Sequence, residues 1–149
     1  MKKIGSYTTR GQVLDGEHKI TLFDGSFSTG YRITKIVIGP SATAEDEIDF
    51  ASVKLATVSG LSQNTWDWSD NTEIGWAMFG YYANAAASAF GGPNEFNQID
   101  PDNMIIEDLY LYVQSRNEDP VNYFIEMEKY EISDWQGALG MVRNSSQNV

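Results

Sequence analysis

The chain has 149 residues, no cysteine, one histidine, and ten Lys plus Arg against 21 Asp plus Glu, a formal charge of −11. A chain of this length is expected to form one domain, 1–149, burying ~70% of the surface its unfolded form exposes. The lack of cysteine excludes disulfides, thiolate catalysis, iron–sulfur clusters and the common structural zinc sites. No segment concentrates Lys or Arg enough to offset the acidity, which argues against direct nucleic-acid binding, a process driven by counterion release at a basic surface.

At the N-terminus Lys2 and Lys3 precede no apolar run, so a secretory signal is not expected there. No apolar stretch approaches the ~20 residues that span a bilayer, and no membrane partner is expected. Short runs rich in β-branched and aromatic residues, bounded by Gly, Asn, Asp and Pro, predict strands within 6–13 and over 18–23, 31–38, 50–58, 73–79, 105–114 and 121–132. Asp24-Gly25 marks a turn, because that pair readily supplies positive φ. Two long connections, 59–71 with Trp66 and Trp68 and 81–102 with Gly91-Gly92-Pro93, interrupt the strands, and loops of that length tend to be functional.

In the run from Ile105 to Val113, alternation puts Ile105, Leu109, Leu111 and Val113 on one face and Ile106, Asp108, Tyr110 and Tyr112 on the other. Val121, Tyr123, Ile125 and Met127 alternate in the same way with Asn122, Phe124, Glu126 and Glu128. The polar stretch Arg116-Asn117-Glu118-Asp119-Pro120 between them reads as the turn of an antiparallel hairpin. After it, Ser133-Asp134-Trp135-Gln136 matches a capping box, and Trp135, Leu139 and Val142 recur at helical spacing. A short amphipathic helix is therefore predicted over about 134–144.

Catalytic patterns are missing. His18 is the sole histidine, which excludes a two-histidine metal site, and there is no nucleophile elbow, P-loop or dinucleotide fingerprint. The expectation is no enzyme, no catalytic residue, no cofactor and no metal site. The acidic segments around Glu45-Asp46-Glu47 and Asp100-Pro101-Asp102-Asn103 leave two alternatives open, a Ca²⁺ site or a glycosidase using acids near Asp46 and Asp102. Trp66, Trp68, Trp76, Tyr81 and Tyr82 gather in the middle of the chain. They suit a sugar-stacking surface, a protein interface, or a core tryptophan at 76 with Trp66 and Trp68 pinning a loop.

The words Leu22-Phe23-Asp24-Gly25, Thr29-Gly30-Tyr31, Asn71-Thr72-Glu73-Ile74-Gly75-Trp76, Asp100-Pro101-Asp102-Asn103, Glu107-Asp108-Leu109, Val121-Asn122-Tyr123, Met127-Glu128-Lys129-Tyr130 and Ser133-Asp134-Trp135-Gln136-Gly137-Ala138-Leu139 span most of the chain. In them it resembles a group of short proteins encoded by marine bacteriophages. The resemblance implies a virion protein of jelly-roll or related β-sandwich form, present in many copies, and brings no active-site residues with it.

The fold expected is thus mainly β, an antiparallel two-sheet β-sandwich of jelly-roll type with a short C-terminal helix. An immunoglobulin-like wiring is the alternative. The function expected is that of a bacteriophage capsid component, coat subunit or decoration protein, made in the host cytoplasm and carried in the virion. Its expected partners are copies of itself and other capsid proteins, met through Trp135, Leu139 and Val142 of the helix and Trp66 and Trp68 of the loop. The alternative is a glycan-binding module on a host-recognition appendage.

Overall fold

The computed structural model describes residues 2–41, 48–82 and 94–132. These form strands β1 Lys2–Val13, β2 Gly16–Ile20, β3 Thr29–Pro40, β4 Ile48–Ala56, β5 Glu73–Tyr82, β6 Asn94–Ile99, β7 Leu109–Ser115 and β8 Val121–Glu131. A 3₁₀ turn, Arg116–Glu118, is the helical element among the described residues. The strands build two antiparallel sheets, ordered β1-β8-β3 and β2-β7-β4-β5-β6. A mainly β, two-sheet antiparallel architecture is therefore what this sequence forms, compatible with a sandwich. The helix expected over 134–144, with Trp135, Leu139 and Val142, lies outside the described residues, as do Glu45, Asp46 and Glu47.

Alternation decides which face each strand buries. In β7, Leu109, Leu111 and Val113 point into the core, and in β8, Val121, Ile125 and Met127 do the same. In β3 the buried isoleucines are Ile33, Ile36 and Ile38, a spacing of three and then two. A bulge reconciles the spacing: the register with β8 shifts between Ile33 and Lys35, so Thr34 is the extra residue and Ile36 returns to the face that Ile33 occupies. A second irregularity, between Leu55 and Ala56, lets Ile74 and Ala77 of β5 both reach the core. Next to it Gly75 lets the Ile99 side chain pack close, since a Cβ there would stand 2.7 Å from Ile99 Cδ1 and push that methyl aside.

Two features depart from the sequence reading. The segments 105–114 and 121–132 are not a hairpin: β7 pairs with β2 and β4, whereas β8 pairs with β1 and β3. The polar stretch between them carries the chain from one sheet to the other through the 3₁₀ turn, with Glu118 at φ 58°. A turn and a crossover need the same polar, turn-forming residues, so composition alone does not separate them. In addition, β6 occupies part of what reads as the long connection 81–102. Its sequence, Asn94-Glu95-Phe96-Asn97-Gln98-Ile99, is too polar to carry a strand signal, and it forms by pairing along the edge of β5.

Paired side-chain contacts hold the places where the chain changes sheets. At the first, the backbone N–H and hydroxyl of Ser115 at the end of β7 both donate to Asp15 Oδ1, between β1 and β2, at 2.9 and 2.6 Å. At the second, Asp108 just before β7 accepts from the N–H groups of Leu22 and Phe23 beyond β2, and it pairs with Lys19 at 3.0 Å. Tyr31 of β3 then bridges Ile105 by backbone bonds of 2.8 and 2.7 Å.

Candidate interaction surface

Register places Lys54 of β4 opposite both Trp76 of β5 and Tyr112 of β7. Ser52 stands opposite Met78, and Met78 opposite Phe96 of β6. These residues share the outer face of the five-stranded sheet, turned away from the core. Over that face runs the connection between β4 and β5, residues 57–72, which contains Trp66 and Trp68.

The connection is fixed by an ion pair buried beneath it. Lys54 and Glu73 keep only 2% of their side-chain surface exposed, and Lys54 Nζ lies 3.0 Å from Glu73 Oε2. The ammonium also donates to Thr65 O at 2.8 Å and stands 5.4 Å above the Tyr112 ring. The other carboxylate oxygen, Glu73 Oε1, accepts from the Asp67 N–H at 2.9 Å and from Trp76 Nε1 at 3.0 Å. The two charges thus grip the backbone at Thr65 and at Asp67, the residues on either side of Trp66. Burying a pair of charges is tolerable only when each one is satisfied, and here each has several partners.

The flanks of the connection are fixed in the same manner. Tyr112 Oη lies 2.7 Å from Val58 O and 2.9 Å from Glu17 Oε1, and it accepts from the Leu61 N–H at 3.3 Å. Burial pushes this hydroxyl well above the ordinary tyrosine range, and the neighbouring Glu17 carboxylate adds to the effect. Further along, Asp67 accepts from the backbone and hydroxyl of Ser69, which holds its carboxyl below the usual carboxylate range, and Asp70 accepts from Thr72 in the same way.

On this support sits a group of aromatic rings. Phe96 lies between the two loop tryptophans, 5.8 Å from Trp66 and 6.1 Å from Trp68, nearly parallel to the latter at 15°. Trp68 also packs against Trp76 at 5.8 Å. Trp76 is buried under the loop, while Trp68 is 63% exposed, Phe50 53% and Met78 44%. Beside them Ser52, Asn64, Trp66 and Met78 line a shallow depression of about 290 Å³. Large apolar groups left exposed on one face are the usual mark of an interaction surface.

Of the residues expected to act, Trp66 and Trp68 are brought together here around Phe96, with Met78 beside Trp66 and Phe50 exposed on the same sheet face, three residues the sequence reading did not single out. Lys54 and Glu73 were also missed. The available signal was the one lysine of β4, set between Val53 and Leu55, which needs an acidic partner if it is covered. The Asp100 carboxylate is occupied by the Asp102 N–H and the Asn103 amide, both at 3.0 Å. Among the described residues no group of three or more His, Asp or Glu is placed to hold a metal ion. His18 Nε2 is hydrogen-bonded to Leu14 O at 2.5 Å.

Fold and surface together define a two-sheet β protein with a rigidly supported aromatic face. No family model matches the sequence, and no curated protein matches it significantly. No helix among the described residues is long and apolar enough to cross a membrane.

Proposed function

We propose that this chain is a structural component of a bacteriophage particle, a coat subunit or shell-decorating protein of jelly-roll type that acts by packing against neighbouring proteins. The observation that carries the reading is the Trp68, Phe50 and Met78 surface: two large apolar side chains exposed on the outer sheet face and a third on the loop that crosses it, a loop held from beneath by a buried ion pair. Aromatic residues and methionine are enriched in the cores of protein interfaces. The phage assignment is supported by the sequence resemblance.

The jelly-roll form is supported by the pairing. A jelly roll is a long antiparallel ribbon of eight strands rolled up, so that strand one pairs with eight, two with seven, three with six and four with five. Here β1 pairs with β8, β2 with β7 and β4 with β5. For the remaining pair, β3 packs against β6 and the Tyr31–Ile105 bridge lies just beyond it. The difference is that β6 takes its ladder from β5.

Purified virions test the function. The protein should sediment with the particles at hundreds of copies, and Trp68→Ala should reduce its incorporation without unfolding it. Recovery only in the soluble fraction would overturn the proposal. The predicted helix supplies a second contact, through Trp135, Leu139 and Val142, and a folded Trp135→Ala/Leu139→Ala protein that incorporates normally would remove that part.

A second reading, glycan binding on a host-recognition appendage, draws on the depression beside Trp66, where a hydroxyl and an amide from Ser52 and Asn64 flank an aromatic wall. It requires polysaccharide binding by the isolated protein, lost on replacing Trp66 or Trp68, and a few dozen copies per particle or fewer.

A further inference from the structure

β1 forms one edge of the three-stranded sheet and, among the described residues, pairs only with β8. At twelve residues it is about 40 Å long. The edges of the other sheet are short, five residues in β2 and six in β6, and β3 meets Ile105 and β6. Along the outer side of β1, on either side of the irregularity between Lys3 and Gly5, alternate residues turn their N–H and C=O away from β8 and meet no strand among the described residues, the arrangement onto which an extended chain adds as a further strand. Ile4 and Tyr7 on β1, and Leu14 just after it, are exposed large apolar groups beside that edge.

Charge identifies the occupant. β1 carries Lys2, Lys3 and Arg10 and no acidic residue, in a chain of net charge −11. Lys3 pairs with Glu128 at 2.6 Å, Lys2 stands opposite Glu131 but forms no ion pair among the described residues, and Arg10 stands opposite Phe124. A second β1 added across a two-fold axis in full register would set Lys2 against Val13 and Arg10 against Gly5, offering neither a counter-charge, whereas an acidic segment supplies one for each.

We infer that β1 is a strand-addition site for an extended acidic peptide segment of another protein. Backbone bonds to alternate residues of β1 hold the segment, and its carboxylates pair with Lys2 and Arg10. This site lies on the other sheet from the tryptophan surface, and its existence does not depend on the particle reading.

The test is amide hydrogen exchange on the full chain with two capped twelve-residue probes, one alternating Glu and Thr, the other Lys and Thr. The glutamate probe should slow exchange about tenfold or more at those amides of residues 2–13 that point away from β8, where an unpaired edge is expected to exchange fast. The lysine probe should leave those amides unchanged, and Lys2→Glu/Arg10→Glu should reverse the preference. No slowing by the glutamate probe, or equal slowing by both probes, overturns the inference. So does protection of the same amides in the free protein with concentration-dependent dimerisation, which would identify a second copy as the occupant.

Discussion

Replacing Lys54 with methionine would leave the Glu73 carboxylate buried beside Trp76 with its counter-charge gone, the situation in which a buried pair is most costly to break. We expect Lys54→Met to lower unfolding free energy by about 3–5 kcal/mol in urea titrations, and Lys54→Met/Glu73→Leu to recover much of that loss. A single variant as stable as the parent would show the pair to be dispensable. Tyr112→Phe keeps the ring under the Lys54 ammonium but leaves the Leu61 N–H and Val58 carbonyl without the hydroxyl, at a cost of about 1–2 kcal/mol. These roles were only half legible in the sequence. Alternation put Tyr112 opposite the core face of its strand and stopped there, because the Thr65 and Asp67 backbone groups that fix the loop leave no mark in side-chain patterning.

At the scale of elements, the folded corner at Asp108 sets a pH dependence. Burial alone would raise the Asp108 carboxyl, but bonds from Lys19 and from the Leu22 and Phe23 N–H groups, with the Lys19 charge, bring it below the ordinary aspartate value. A carboxyl lowered by folding contributes stability that is present above its unfolded pKa of about 3.9 and is lost as pH falls through its folded value. Asp108→Asn should therefore be less stable than the parent at pH 7, and the gap should close as urea titrations are carried below about pH 4. A gap independent of pH would assign the effect to packing. The strands built on clean alternation, β7 and β8, were readable in advance. The bulge at Thr34 was not, since the spacing Ile33, Ile36, Ile38 fits neither a strict strand nor a helix until β8 supplies the register. Nor was β6, whose formation depends on a neighbour and not on its own composition.

For the whole molecule, the outermost pairing joins the two ends of the described chain, with Lys2 opposite Glu131. Contacts this distant in sequence close large loops before they yield any stabilising interaction, so folding is expected on the millisecond-to-second scale. Stopped-flow refolding followed by tryptophan fluorescence measures it, and microsecond relaxation would contradict a fold dominated by non-local pairing. This distance also explains the misread hairpin: sequence proximity suggested β7 with β8, whereas β8 finds its partners in β1 and β3, near the opposite end. The two-layer, mainly β architecture was visible from strand composition, but the partners of each strand were not.

The clamp beneath the tryptophan loop holds main-chain atoms, the carbonyl of Thr65 and the N–H of Asp67. The side chains at 66 and 68 add ring contacts with Phe96 and Trp76, but the polar clamp itself does not use them. Support and surface are separable: the exposed side chains can be exchanged while the frame presenting them keeps its shape. A library varied only at Trp66, Trp68, Phe50 and Met78 should retain the parent fold across most of its members, so that new partners could be selected without reselecting for stability.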